Sequence, residues 1–201
     1  MLPEGTAMKE RKEKLGDTAK VSATILQAHL SWAEQKWGQA VAARLAPVLD
    51  GEAQALVSRP LAPTDQILLR DLVSIARGIV SIEGGEPDAI FEELGRHSAR
   101  LNLGGAYKSF APETPHRFFE QMNFLHRTFQ NFGRSTYEKL GPRSCRMTLV
   151  EYAEYSPMFC LSGRGYYEEA LRMMKAPGPI SVKETSCQCA GDEACVFELS
   201  W

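Results

Sequence analysis

The chain has no stretch of about 18 uncharged apolar residues, the length a bilayer-spanning helix requires, so no membrane span is expected. Its Met1 end lacks the apolar core of a secretory signal. Charge of one sign is not in excess either. The 23 Lys and Arg against 25 Asp and Glu leave a formal charge of -2, too little for a general attraction to nucleic acid or acidic lipid. A soluble, cytoplasmic protein without a nucleic-acid partner is therefore expected. Signatures of catalysis are missing as well. There is no G-x-S-x-G, no Walker loop and no Rossmann glycine pattern after a strand, and nothing announces a hydride donor. The reading is of a protein that is not an enzyme. Internal repeats and low-complexity tracts are absent.

What is present fits one self-folding domain: 201 residues, 44% of them apolar. Residues 1–16 mix Pro, Gly and alternating charge, the composition of a flexible tail. Residues 17–201 are expected to form a single domain, helical from about 17 to 133. Ile25, His29, Trp32, Ala33 and Trp37 recur at helical spacing up to Gly38, and Val41, Leu45 and Leu49 do so up to Asp50-Gly51. Past the connector RPLAP, a longer helix runs through Leu68, Leu72, Ile75 and Val80 to Gly84-Gly85, with Thr64 as its expected N-cap. Glu86-Pro87-Asp88 opens another helix that Gly104-Gly105 closes. A last one runs from Thr114-Pro115 to Gly133, with Phe118, Met122, Leu125 and Phe129 inward.

From about residue 134 the period changes. STYEKL and CRMTLVEYAEY read as strands, Met158 to about Lys175 as a helix, and ISVKETSCQCA with CVFELSW as a hairpin around Gly191-Asp192. Helices followed by β-β-α-β-β predict an α+β fold, a helical part packed on a C-terminal antiparallel sheet spanning about 134–201.

Five cysteines are few, yet four fall in the last 42 residues. In a reducing compartment, such clustering points to metal or redox chemistry and not to a disulfide framework. Hairpin strands about 4.8 Å apart bring Cys187 and Cys195 together, and Cys160 joins from the preceding helix. Glu184 lies three residues before Cys187 on the opposite strand parity, so both reach one point only through a local bulge. Cys189, on the same face as Cys187, can stand in for it. The residues alone support two readings. One is a tetrahedral metal site; the other is a set of buried free thiols beside a surface glutamate, since C-x7-C is not a common zinc spacing.

The pattern E-x-x-C, then G-D-x-x-C-x-F, is carried by Glu184, Cys187, Gly191, Asp192, Cys195 and Phe197. It resembles the end of the 4-vinyl reductase domain. In sensor domains of that family, from bacterial regulators responding to aromatic compounds, zinc is held by an earlier Cys, that Glu and those two Cys. The resemblance therefore implies a structural zinc on Cys160, Glu184, Cys187 and Cys195, with every position filled by protein. Its motifs cover only residues 160–197. The helix order and the final β-β-α-β-β are similar to a wider superfamily that also holds haem-NO-binding domains and TRAPP vesicle-tethering subunits, which implies architecture more than activity.

Haem itself is not expected. The haem-NO-binding relatives use a His ligand and a Y-x-S-x-R motif, whereas Tyr107 and Ser109 are followed by Ala111, and His97 lies only ten residues before Tyr107. His29, His116 and His126 form no pair at metal-ligand spacing. No Trp occurs between Trp37 and Trp201, so a phenol-type effector is not expected. Phe118, Met122 and Phe129 are the candidates for lining an apolar ligand cavity between helices and sheet. Ser162-Gly163-Arg164-Gly165 reads as close packing against the hairpin in preference to an anion site.

Two functions are compatible with these features. The first is a stand-alone small-molecule sensor with structural zinc, homodimeric and signalling through another regulatory protein because no output domain follows Trp201. The alternative is a ligand-free adaptor, as TRAPP-like relatives are.

Overall fold

The computed structural model describes residues 11–105, 108 and 114–201. Strand β1 (Lys20–Ser22) leads into helix α1 (Ala23–Trp37), where Ser22 accepts the Thr24 amide as N-cap. Gly38, at φ 74°, ends α1 and returns its amide to the Glu34 carbonyl. Helices α2 (Val41–Leu45) and α3 (Gly51–Ser58) follow, then strand β2 (Gln66–Leu68) and helix α4 (Leu69–Glu83). Helix α5 (Pro87–Gly104) starts on Pro87, whose fixed φ suits a first helical turn. The helical part ends with α6 (Pro115–Glu120), capped by Thr114, and α7 (Met122–Phe129).

The C-terminal third is β3 (Arg134–Gly141), β4 (Ser144–Val150), α8 (Pro157–Met173), β5 (Ser181–Ser186) and β6 (Cys195–Ser200). Its antiparallel sheet runs in the spatial order β3-β4-β6-β5, so the final strand is inserted between β4 and β5. The α+β fold with a β-β-α-β-β end is therefore as expected.

Three local readings change. Thr64 does not cap α4: residues 66–68 pair with Lys20–Ser22 as a second, two-stranded sheet, and Leu68 takes the N-cap position. A strand partner more than 40 positions away in sequence outcompetes the local cap. Asp50-Gly51, read as a helix stop, is also the start of α3. Of the tail expected over residues 1–16, residues 1–10 lie outside the described residues, while Arg11–Gly16 lie along the sheet part. Lys14 forms an antiparallel bridge with Tyr155, and the Lys12 amide donates to the Cys189 carbonyl at 2.7 Å.

Two apolar cores share the molecule. One gathers α1, α3 and α4 around Leu26, Leu56, Leu72, Ile75 and Ile79. The other lies between the sheet and α6, α7 and α8, around Phe118, Phe119, Met147, Phe197 and Leu199. Helices α5 and α8 join them. A Cβ at Gly95 would collide with the Ser162 carbonyl, and one at Gly165 with the Glu92 carbonyl, so the two backbones touch where side chains are missing. The Gly-rich run of α8 thus serves close packing as expected, but its partner at Gly165 is α5 and not the hairpin. Arg96–Glu168 at 2.9 Å and Arg100–Glu169 at 3.4 Å flank that seam.

Candidate functional site

Four side chains distant in sequence converge at the end of the sheet. One ligand atom from each of Cys160, Glu184, Cys187 and Cys195 lies within 4.8 Å of the others. Cys160 comes from the first turn of α8, whose entry is set by Pro157 and by Ser156 capping the Met158 amide. Cys195 opens β6. The register of β5 against β6 slips between Glu184 and Ser186, and this bulge turns Glu184 and Cys187 to the same side. A short 3-10 turn (Gln188–Ala190) and Gly191 at φ 94° then bring the chain back. All three thiols are buried, with Cys160 Sγ 3.5 Å from Cys195 Sγ and 4.0 Å from Cys187 Sγ. Cys187, and not Cys189, belongs to the converging four; Cys189 is fully buried beside them.

Hydrogen bonds from Cys160 and the neighbouring thiols hold Cys187 well below the usual thiol range, while the same contact pushes Cys160 up. One thiolate is thus favoured and the rest are made harder to ionise. Burial, with the Cys187 thiol beside it, pushes the Glu184 carboxyl up to about 7, against the pull of the Arg11 guanidinium. Three sulfurs and a carboxylate oxygen in this arrangement are donors that suit a thiophilic metal ion.

Next to the cluster, along α8, lies an apolar cavity of about 100 Å³. Phe159 and Ser162, which bracket Cys160 in sequence, are on its wall, together with Met122, Leu125, His126 and Phe129 of α7 and Tyr152, Tyr167 and Phe197. Of the three residues expected to line it, Met122 and Phe129 do. Phe118 does not: it is fully buried in the core, edge-on to Phe119 at 5.1 Å between ring centres. Among the described residues, no acidic or basic chain other than neutral His126 lines the cavity. Burial lowers His126 to about 4. Its Nε2 meets the Tyr167 hydroxyl at 3.3 Å, and its Nδ1 is buried without a partner. The other polar groups are better served, as Gln130 Nε2 donates to both Tyr152 Oη and the Phe132 carbonyl at 2.8 Å. His126 had no distinguishing signal in the sequence, because what marks it is its surroundings.

No family model matches the chain, and no curated protein matches it. Solved structures do. A doubly substituted Tt H-NOX domain is 16% identical, with a TM-score of 0.69 over 90% of this chain and 94% of that one. An oxygen-binding H-NOX domain related to soluble guanylate cyclases gives 16% and 0.67 over 89% and 94%. A structure from work on haem distortion in the H-NOX family gives 16% and 0.68 over 90% and 94%.

The chain has the H-NOX fold. The resemblance read from the C-terminal motif therefore stands at the level of the fold alone, and no sequence match supports the 4-vinyl reductase domain. The expected zinc cofactor is overturned: structures sharing this fold are described by their haem, in work on haem distortion and on haem redox potential. Haem in turn does not fit the cavity. About 100 Å³ falls below the roughly 300–1,000 Å³ of pockets for drug-sized ligands, and a porphyrin is at least of that size. Among the described residues no Lys or Arg stands on its wall to meet propionates. Tyr107, Ser109 and Ala111, compared above with the haem-propionate motif, lie outside the described residues. No helix among the described residues is long and apolar enough to cross a membrane.

Proposed function

We propose that this chain is a ligand-binding sensor domain and not an enzyme. It takes a compact, uncharged, largely apolar molecule in the cavity beside α7 and α8 and passes the bound state to a protein partner, a second copy or a regulatory protein. The observation that carries this reading is the apolar cavity with one buried, unpartnered polar atom, His126 Nδ1. Apolar walls favour an apolar body, and the cost of an unmet buried polar atom favours a ligand with one hydrogen-bonding group at that point. A cavity of about 150 Å³ lined by apolar side chains is known to accept benzene, so a volume near 100 Å³ suits a molecule of at most one ring. In the same reading, Cys160, Glu184, Cys187 and Cys195 hold a thiophilic metal ion that ties α8 to the hairpin. Because Cys160 sits between two wall residues, filling the cavity and ordering the cluster act on the same turns of α8.

Native mass spectrometry of the purified protein, under conditions that keep metals bound, tests both parts. A mass above the bare chain by a metal ion or a small organic molecule is expected. In thermal-shift titrations, His126→Phe should abolish stabilisation by ligands with a polar group while sparing purely hydrocarbon ones. A bare-chain mass, with no neutral ligand raising the melting temperature, overturns the proposal.

A further inference from the structure

The Cys160–Glu184–Cys187–Cys195 group is built with a strong charge imbalance. Fully deprotonated, it carries four negative charges, and a divalent cation would cancel two of them in a buried place. Among the described residues one cation reaches it. Arg11 Nη2 is 3.6 Å from Glu184 Oε2, and that glutamate side chain is only 7% exposed. Both partners also have a spare atom facing the interior: Arg11 Nη1 and Glu184 Oε1 are buried without hydrogen-bond partners. A buried guanidinium nitrogen and a buried carboxylate oxygen left unmet are costly, and a cation bound by Glu184 would relieve the second.

Arg11 is held there by its own segment. The Lys12 amide donates to the Cys189 carbonyl at 2.7 Å, within the turn that links Cys187 to Cys195. Glu13 accepts from the Ser156 hydroxyl, which caps the helix bearing Cys160, and pairs with Arg77 of α4 at 2.7 Å. Lys14 bridges Tyr155. Residues 11–14 therefore touch β5, the turn after it and the start of α8, the elements that supply the four side chains.

We infer that Arg11 is a positioning residue for cation binding at this cluster: it turns Glu184 toward the three thiols and offsets the residual negative charge of the loaded site. The inference rests on the metal-holding reading proposed above. An outer partner of this kind typically changes metal affinity by about 10–100-fold.

The test uses the full chain with Co²⁺, whose thiolate charge-transfer absorption reports coordination directly, and competition with a chelator to obtain the affinity. Wild type is expected to bind one Co²⁺ with the thiolate band, Arg11→Ala to bind about 10–100-fold more weakly, and Arg11→Lys to recover most of the loss. Melting curves of the metal-free proteins accompany these, since a merely structural arm would alter the melts without separating Lys from Ala in affinity. Arg11→Ala within twofold of wild type overturns the role of Arg11 and leaves the ligand set standing. A wild type without a thiolate–Co²⁺ band, indistinguishable from Cys195→Ser, overturns the ligand set and the role of Arg11 with it.

Discussion

At the scale of single residues, two histidines buried without full partnering set a pH dependence. His29 has no exposed surface and no partner at either ring nitrogen; burial, with His97 nearby, lowers it from 6.5 to about 3. His126 is lowered to about 4 by burial. Both are neutral in the fold, while the unfolded chain takes up protons from 6.5 downward. Their contribution is whole above pH 6.5 and is lost as pH falls toward about 4 and then 3. Urea midpoints should therefore decline from neutral pH through that window. His29→Leu should flatten the decline and, at neutral pH, be neutral or stabilising by up to about 1 kcal/mol, since it replaces an unmet polar ring by an apolar group. A marked loss of stability at neutral pH would show that the ring has a partner. Helical spacing put His29 on the apolar face of α1, but that its ring has no partner there could be read only from the packing, because solvation belongs to the environment and not to the residue type. The cysteine group was more legible. Glu184 and Cys187 on opposite parity required a bulge, and the register slip at β5 supplies it.

At the scale of elements, the seam between α5 and α8 is the most constrained contact. Gly95 and Gly165 each face a carbonyl of the other helix, with no room for a methyl group. Gly165→Ala or Gly95→Ala should cost about 3 kcal/mol or more, because backbone, unlike a flexible side-chain end, cannot step aside. Chemical denaturation reads this directly, and Gly163→Ala, inside α8 at a position where a Cβ meets nothing within 4 Å, is the control expected to stabilise by about 0.4–1 kcal/mol. The helix itself could be read from the sequence, with its Pro157 start and its length. The partner could not. A glycine in a helical pattern signals close approach, and whether α5 or the hairpin approaches is decided by packing.

At the scale of the whole molecule, the segment before β1 ties the two halves together. Glu154 accepts from the Gly16, Thr18 and Ala19 amides and from the Thr18 hydroxyl. Burial alone would raise this carboxyl, but those four donors outweigh it and hold it at about 2, below its usual 4.5. Its contribution is present above pH 4.5 and is lost as pH falls toward about 2. Glu154→Gln should cost about 1–3 kcal/mol by weakening charge-assisted hydrogen bonds. It should also expose residues 11–19 to limited proteolysis before the rest of the chain. Simultaneous cleavage throughout would mean that the segment does not detach by itself. Composition pointed to a solvated tail here, since short polar and charged runs carry no apolar signal; the hydrogen bonds that dock it are made with Tyr155, Cys189 and Glu154, more than 130 positions away.

Taken alone, the sequence determined the order of elements, the change from helical to strand period near residue 134 and most helix ends, and it left Cys187 and Cys189 as alternatives until the family resemblance named the four side chains of the cluster. These depend on periodicity, capping and turn chemistry within a few residues, or on a compact motif at the end of the chain. Tertiary structure alone decided the two-stranded sheet of β1 and β2, the α5–α8 seam, the docked Arg11–Gly16 segment and the cavity. Each of these is a meeting of surfaces far apart in the chain, and the α5–α8 seam shows what such a meeting excludes: a methyl group at Gly95 or Gly165.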